Sequence, residues 1–302
     1  PPEPHDVRAH LLGGVPKVEV TAQAELFDAH GFDPSSLMVP RDARYFDFKP
    51  GLNGDGDLKG RIEADAGVTA REQALTDAFD AWWAAHRGSI QALPRTQTLM
   101  TLRADLLASF ERALVPVGLL DRFAVVGAVA TWWGEVFYDL KALMAGGFDG
   151  VVEGWVTTIL TALEDGGTKA TPLDHKLVKR LLPEFLDEIA EVEGQVAELD
   201  GTIKAATAKG DEDEDEDADD DNEDTLSEDE IKALKRKLTV AKARLKTLHR
   251  GFADRLEAAQ AEVDMKQAEA LVLDILQADL RRELDRRVVD HRQAVVAAVD
   301  GW

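Results

Sequence analysis

The fold is decided by two heptad segments: residues 183–203 read PEFLDEIAEVEGQVAELDGTI, and residues 231–252 read IKALKRKLTVAKARLKTLHRGF. In each segment the apolar residues recur at alternating spacings of three and four. The first set is Phe185, Ile189, Val192, Val196, Leu199 and Ile203, and the second is Ile231, Leu234, Leu238, Ala241, Leu245, Leu248 and Phe252. This period predicts a coiled-coil seam on each of two helices.

The charges of the two segments are segregated. Residues 184–200 contain seven acidic residues and no basic one, whereas residues 231–250 contain eight Lys or Arg and no acidic one. Two acidic helices or two basic helices would repel each other, whereas an acidic helix and a basic helix would attract each other. We therefore predict an antiparallel hairpin within one chain, which is an interaction scaffold and not a reaction centre.

The connector between these segments carries most of the negative charge. The chain of 302 residues has a formal net charge of −23, and residues 211–230 hold 15 acidic residues and no basic one, so the remainder carries only −8. We interpret residues 205–229 as a disordered, solvated tip. The alternatives are that the connector mimics DNA phosphates, holds divalent cations weakly, or folds back on the basic helix.

Cysteine usage and hydropathy bear on the compartment. The chain has no cysteine, which excludes disulfides and thiolate metal sites and fits a reducing cytoplasm. The longest apolar run, residues 125–133, is too short to cross a bilayer. We therefore expect a cytoplasmic location and no membrane partner. Because the chain opens with Pro1-Pro2 and not with methionine, we expect it to be a piece of a longer protein.

The predicted fold class is mostly α. It comprises a helical core, a projecting antiparallel coiled-coil hairpin and a C-terminal helix, preceded by an irregular or small mixed N-terminal segment. Seven prolines interrupt any long periodicity in residues 1–66, which form that segment. Residues 67–170 form the helical core, residues 171–263 the hairpin, and residues 264–302 the C-terminal helix.

Local signals predict the boundaries of several elements. Three pairs have capping-box spacing: Thr69 with Glu72, Ser227 with Glu230, and Asp264 with Gln267. We also predict a helix over residues 98–114, a helix capped by Asp121 and ended by Gly146-Gly147, and a helix around Trp155 that ends before Gly166-Gly167. Candidate strands are Val18 with Val20, and Tyr45–Phe48. The expected bulky core members are Trp82, Trp83, Trp132, Trp133 and Trp155.

The basic helix allows two interpretations. Its outer side chains can contact nucleic acid, for which the candidate residues are Lys235, Lys242, Arg244 and Arg250. Alternatively, the basic side chains pair across the hairpin with Glu184, Asp187, Glu188, Glu191, Glu193 and Glu198. Positions beside the seam can serve both roles. Aromatic residues for base stacking are nearly absent from this helix, so we do not expect recognition of single strands.

No catalytic, cofactor-binding or metal-binding residue is predicted in this chain. Asn53, Asp55 and Asp57 resemble the start of a calcium loop, but Leu58 and Ala64 replace the required glycine and glutamate, so we predict a plain turn. The seven histidines are scattered. The sequence has no His-Glu-x-x-His, no nucleophile elbow and no P-loop.

A family resemblance is carried by residues 6–16 (DVRAHLLGGVP), 117–134 (VGLLDRFAVVGAVATWWG), 154–159 (GWVTTI), 173–184 (LDHKLVKRLLPE) and 271–293 (LVLDILQADLRRELDRRVVDHRQ). These stretches resemble the C-terminal region of the modification (M) subunit of type I restriction–modification systems, the adenine-N6 DNA methyltransferase component. None of them is a catalytic motif.

The resemblance implies a larger subunit whose upstream part binds S-adenosylmethionine and methylates adenine in DNA. That activity needs an Asn-Pro-Pro-aromatic motif and a glycine-rich cofactor turn, and this chain has neither, so we do not expect it to methylate or bind a cofactor by itself. The implied partners are the specificity and restriction subunits of the same system, with DNA contacted through the complex. By the same resemblance, the two heptad helices and the last helix would be the docking surface, with the last helix binding the partner through Leu271, Ile275, Leu280, Leu284 and Val288.

A function of a different class is the alternative. The chain would then be a stand-alone helical coiled-coil adaptor whose acidic tip mimics DNA and occupies a basic surface of its partner. An independent hydrolase or metalloenzyme has no support beyond scattered carboxylates.

Overall fold

The computed structural model describes residues 14–50, 52, 55–96, 98–165, 172–212 and 227–302, with side chains for all of these except 55–57, 96, 165 and 208–212. This part of the chain is mostly helical with one small antiparallel sheet, which confirms the predicted fold class. The strands are β1 (Val15–Pro16), β2 (Met38–Pro40) and β3 (Tyr45–Phe48). The helices are α1 (Lys17–Ala22), α2 (Ala24–His30), α3 (Asp55–Glu63), α4 (Ala66–Gln91), α5 (Leu93–Thr96), α6 (Leu99–Leu114), α7 (Arg122–Asp165), α8 (Val178–Leu181), α9 (Pro183–Glu212), α10 (Glu228–Arg250), α11 (Phe252–Ala261) and α12 (Met265–Asp300).

The sheet has the order β1-β3-β2, with β3 antiparallel to both neighbours. The strand predicted at Tyr45–Phe48 is confirmed, but the strand predicted at Val18 and Val20 is wrong because both residues lie in α1. The pairing of β1 with β3 ends where Pro16 meets Tyr45. Before Tyr45 the backbone turns, since Arg44 N–H donates to Asp42 Oδ1 at 2.7 Å. No strand therefore continues alongside Val18, and that segment forms a helix.

Most predicted helix caps are present. Asp121 Oδ1 accepts from Ala124 N–H at 2.6 Å, and Asp264 and Gln267 exchange the two bonds of a capping box. The box predicted at Thr69 is wrong. Helix α4 begins three residues earlier, at Ala66, because Asp65 Oδ1 accepts from the N–H groups of Gly67 and Val68. An aspartate one turn upstream thus competes successfully for the same helix start.

Helix α7 contains the break that was predicted at Gly146-Gly147. Gly147 has φ 71° and ψ −167°, outside helical values, and helical backbone resumes beyond it. Glycine adopts this left-handed φ without the steric penalty that a Cβ would bring. The Gly166-Gly167 pair, which was expected to end the following helix, lies outside the described residues.

The chain divides into two compact units, residues 1–147 with 273–302 and residues 148–272. The four-part division expected from the sequence stays a prediction. In the first unit the N-terminal segment shares a core with the end of α12, comprising Val15, Phe27, Phe32, Leu37, Met38, Leu52, Ile62, Val68, Val295 and Val299. The described part of the proline-rich N-terminal segment therefore packs in an apolar core that it shares with α4 and α12.

The five tryptophans predicted for the core are all buried, namely Trp82, Trp83, Trp132, Trp133 and Trp155. Trp132 is fully buried, and its Nε1–H donates to the backbone oxygen of Leu276 at 3.0 Å. Trp82 donates to Ser109 Oγ at 3.0 Å. Each of these two indole N–H groups thus has a partner, as burial of a polar atom requires.

Candidate docking surface and a buried histidine pair

Helices α9 and α10 form the predicted antiparallel hairpin. Phe185, near the start of α9, stacks on Phe252, which follows the end of α10, with ring centroids 5.9 Å apart and planes 2° apart. Farther along α9, the pKa of Asp200 is lowered first by its hydrogen bond with Lys204 and further by the charge of Lys242 of α10. The start of one arm therefore lies beside the end of the other.

The two heptad sets form a buried seam between the arms. Val192 is fully buried and Ala241 is 8% exposed, and neither faces water. All other members of both sets are buried or half-buried, namely Phe185, Ile189, Val196, Leu199, Ile203, Ile231, Leu234, Leu238, Leu245, Leu248 and Phe252. The coiled-coil period read from the sequence is thus confirmed.

The helix ends of the hairpin follow from local chemistry. Pro183 occupies the first position of α9, where its missing N–H has no intrahelical acceptor to lose. Ser227 caps α10, and a capping box with Glu230 joins Ser227 N–H to Glu230 Oε2 at 2.9 Å. Because α9 extends to Glu212 and α10 begins at Glu228, the ends of the predicted disordered tip 205–229 are helical. Residues 213–226 of the acidic connector lie outside the described residues.

Charge pairing between the acidic arm and basic side chains converges on Glu188. Arg244 of α10 contacts Glu188 at 3.0 Å, and Arg255 of α11 contacts its other oxygen at 3.4 Å. The hydrogen bond from Arg244 lowers the pKa of Glu188 below its ordinary value. In the described part of the chain, none of the other acidic candidates forms an ion pair across the arms: Glu184, Asp187, Glu191, Glu193 and Glu198.

The nucleic-acid candidates of α10 therefore fall into two groups. Lys235, Lys242 and Arg250 are exposed and have no ion pair within 4 Å among the described residues. Arg244 is also exposed but is held by Glu188. All eight cations of this arm face solvent, so charge pairing accounts for one of the four candidates and leaves three available to a partner.

A groove runs along the hairpin beside the seam, with a volume of about 620 Å³. Leu199, Leu234, Val240 and Ala241 supply its apolar surface, and Val240 is 70% exposed. Its polar lining is Gln195, Glu198, Thr202, Arg236, Lys237 and Arg244. The charged lining comprises three cations and one carboxylate, so an amphipathic helix with acidic flanks would complement this surface.

The predicted docking residues of α12 are placed differently. Ile275, Leu280, Leu284 and Val288 are buried within the chain, and Leu271 is half-buried. A partner that binds the folded chain at this helix therefore meets its polar positions, such as Arg286, before these apolar ones. The docking role of this set stays a prediction.

A buried polar cluster in the first unit was not foreseen from the sequence. His30, fully buried at the end of α2, contacts His291 of α12 through the two Nδ1 atoms at 2.7 Å. On its other side, His30 Nε2 contacts Glu72 Oε1 at 2.9 Å. Arg292 holds the same carboxylate at 3.2 Å. Burial lowers the pKa of both imidazoles from the ordinary value of 6.5, which favours the neutral form of each ring.

Two glycines position this cluster. Gly31 ends α2 with φ 73°, and a Cβ at Gly67, at the start of α4, would collide with the backbone oxygen of Gly31. The close approach sets the end of α2 against α4, in which Glu72 follows Gly67 by five residues. Because 261 residues separate His30 from His291, no spacing rule could have found the pair. A histidine directly before a helix-ending glycine is the only local signal, and it is weak.

His291 also lies on the wall of a cavity of about 650 Å³. The cavity is lined by Leu119, Leu120, Asp121, Arg287 and Asp290, together with Ala29, Gly118 and Ala124. Arg287 is held in place by Ala124, whose backbone oxygen accepts from its Nε–H at 2.8 Å. The imidazole of His291 is thus accessible to water, whereas that of His30 is enclosed.

Comparisons with known proteins identify no relative of the chain: no protein-family model, curated protein or solved structure matches it.

Among the described residues, no group of three or more His, Asp or Glu is arranged to hold a metal ion. No helix in that same part combines the length and apolar character that crossing a bilayer requires. Asn53 and the side chains of Asp55 and Asp57, from the calcium-like turn, lie outside the description, and the backbone of 55–57 is helical.

Proposed function

We propose that this chain is the assembly region of an adenine-N6 DNA methyltransferase subunit of the type I restriction–modification class. In this proposal the α9–α10 hairpin docks the DNA-reading specificity subunit. The observation that carries it is the hairpin: its apolar seam is closed within the chain, and the cations of α10 remain on the outside. The sequence resemblance supplies the identity of the partner, and the hairpin supplies the surface.

The closed seam favours a docking role on energetic grounds. An interaction surface that is ordered before binding loses less conformational entropy when the partner arrives. The groove beside Val240 offers apolar area to a partner. Arg236 and Lys237 at its rim would favour a partner with acidic side chains over one with basic side chains. This combination favours a helix with an apolar stripe and acidic flanks.

The free cations support a second contact of the same assembly. Lys235, Lys242 and Arg250 are exposed and unpaired in the described structure, and phosphates held by the specificity subunit would attract them. Methyl transfer itself, with S-adenosylmethionine, belongs in this proposal to the upstream catalytic domain, because the present chain lacks the required motifs. The chain contributes assembly and orientation.

The test is copurification of the full-length subunit with its specificity subunit bound to DNA. The variant Lys235→Glu/Lys242→Glu/Arg250→Glu reverses the free cations of α10, and Arg87→Glu/Arg95→Glu/Arg112→Glu makes the same charge change on exposed positions of the first unit. We expect the α10 variant to bind about tenfold more weakly at 0.15 M salt, with a shallower salt dependence, and the control to bind normally.

Circular dichroism is the folding control, and we expect both variants to keep their helices. Equal binding by the two triple variants would contradict the docking role of α10. A parent gene without an upstream Asn/Asp-Pro-Pro-aromatic motif, and without a specificity-subunit gene beside it, would contradict the family assignment.

A further inference from the structure

The contact between His30 and His291 constrains how many protons this site can hold. Two imidazoles that meet Nδ1 to Nδ1 at 2.7 Å share one hydrogen bond, so one nitrogen donates and the other accepts. The Nε2–H of His30 donates to Glu72 at 2.9 Å, which leaves His30 Nδ1 as the acceptor when this ring is neutral. His291 is then the donor through Nδ1–H, and its Nε2 carries a lone pair.

One proton can be added without breaking this arrangement. It enters at Nε2 of His291, whose ring lies on the cavity wall, and His291 becomes a cation that still donates from Nδ1. A second proton would have to enter at Nδ1 of His30, which is the acceptor of the shared bond. Two Nδ1–H groups cannot face each other at 2.7 Å, so the second proton separates the rings.

We propose that His30 and His291 form an acid-sensitive latch that holds α12 against the end of α2 while at least one ring is neutral, and that opens when both rings are protonated. The latch consists of these two side chains and the Glu72 carboxylate that orients His30. It is independent of the docking function proposed for the hairpin.

The groups around the latch disfavour the second positive charge. His30 faces Glu72 and Arg71 from α4, and Arg292 from α12, and the charges of both arginines lower its pKa. Arg292 also contacts Glu63 of α3 at 3.9 Å. His291 lies near His30 of α2 and near Asp121, the residue that precedes α7. Asp290 and Arg287, from the same helix as His291, line the same cavity. Asp121 favours the charge on His291, which agrees with the first proton entering at that ring.

Opening would be local because apolar contacts flank the latch. Phe27, one turn before His30, packs edge-on against Trp302 with centroids 5.5 Å apart. Val295, one turn after His291, is buried in the same core. These contacts do not titrate, so protonation should loosen α2 against α12 without unfolding the unit.

The direction of the pH effect follows from the lowered pKa values. Each imidazole titrates below its ordinary value of 6.5 in the folded chain, so on acidification the open or unfolded state takes up protons first. The closed latch is therefore fully stable above pH 6.5 and loses stability as pH falls from there toward the folded pKa values. Below those values the loss is complete and no longer grows.

The experiment follows both rings and the backbone in the same chain. Long-range ¹H–¹⁵N spectra of ¹⁵N-histidine-labelled protein report which ring nitrogens carry protons between pH 8 and 5. Hydrogen exchange of the α2 amides, corrected for the intrinsic pH dependence of exchange, reports opening. We expect one protonated Nδ1 in the pair at pH 7.5, and α2 exchange that rises about tenfold or more as both rings take up protons.

Two variants locate the effect. His291→Gln keeps an amide donor for His30 but cannot take up a proton, so the pH-dependent rise in α2 exchange should shrink. His249→Gln, at an exposed position of α10, is the matched control and should leave the rise unchanged. If His291→Gln does not fold, the ring spectra and exchange of the wild type still decide. Independent titration of both rings near pH 6.5, or α2 exchange that does not respond to pH, would overturn the latch.

Discussion

The hairpin and the first unit are both helical, but different forces stabilise them. In the hairpin a single apolar seam joins two arms, and several of its members, such as Val196 and Leu238, remain half-buried. In the first unit side chains such as Phe79, Phe110 and Trp132 are fully enclosed. The hairpin therefore depends on an unbroken helical backbone that keeps its seam aligned, whereas the first unit depends on filled volume.

This difference predicts that the two regions respond to different substitutions. Removing volume should damage the first unit most, and interrupting a helix should damage the hairpin most. Acidification should affect them in separate pH ranges, because the first unit contains buried imidazoles and the hairpin contains a paired carboxylate.

The largest expected effect is that of Trp132→Ala. The substitution empties a fully buried indole site and removes the hydrogen bond from the indole to the backbone oxygen of Leu276, so we expect a loss of about 3–5 kcal/mol in the free energy of unfolding of the first unit. Urea unfolding followed by circular dichroism measures it. Phe123→Ala, at a side chain that is 82% exposed, is the control and should change stability by less than about 0.5 kcal/mol. Equal midpoints for the two variants would contradict volume filling as the main source of stability.

The hairpin is broken most directly by Leu238→Pro. A proline in the middle of α10 removes a backbone hydrogen bond and clashes with the preceding turn, at a cost of about 3 kcal/mol or more. We expect the circular-dichroism signal at 222 nm to fall by the part of the helical signal that α9 and α10 contribute. Leu238→Ala shortens the same half-buried side chain but keeps the helix, so it should retain most of that signal. Identical spectra for the two variants would show that the seam does not depend on backbone continuity.

The same contrast explains what could be predicted from the sequence. The seam and the capping box of Ser227 with Glu230 depend on residues a few positions apart, and both are present as expected. Where two local signals compete, as Asp65 and Thr69 do for the start of α4, spacing alone does not identify the stronger one. Val18 and Val20 alternate like a strand, yet the neighbouring strand ends before it can pair with them.

The functional residues are harder to predict because they depend on contacts between distant parts of the chain. An apolar stripe such as that of Ile275 and Leu280 has the same period whether it docks a partner or fills the chain's own core, and here it is buried. The exposed cations of α10 were predictable, since their segment has no acidic residue to pair with locally. The pair of His30 and His291 was not, because it exists only once α2 and α12 have packed together.

The smallest expected effect separates the two pH ranges. The hydrogen bond from Arg244 lowers the pKa of Glu188, so the ion pair stabilises the hairpin above pH 4.5 and is lost as pH falls through the folded pKa. Hydrogen exchange at decreasing pH should therefore rise first in α2, below pH 6.5, and in α9 only below about pH 4.5. Glu188→Gln should reduce the second rise, leaving the part due to Asp200, and should leave the first rise intact, whereas Glu193→Gln, at an exposed position without a cross-arm partner in the described structure, should change neither. The effect is small because solvent screens a half-exposed pair, and an α9 response that is undiminished in Glu188→Gln would assign the acid sensitivity of the hairpin to groups other than this ion pair.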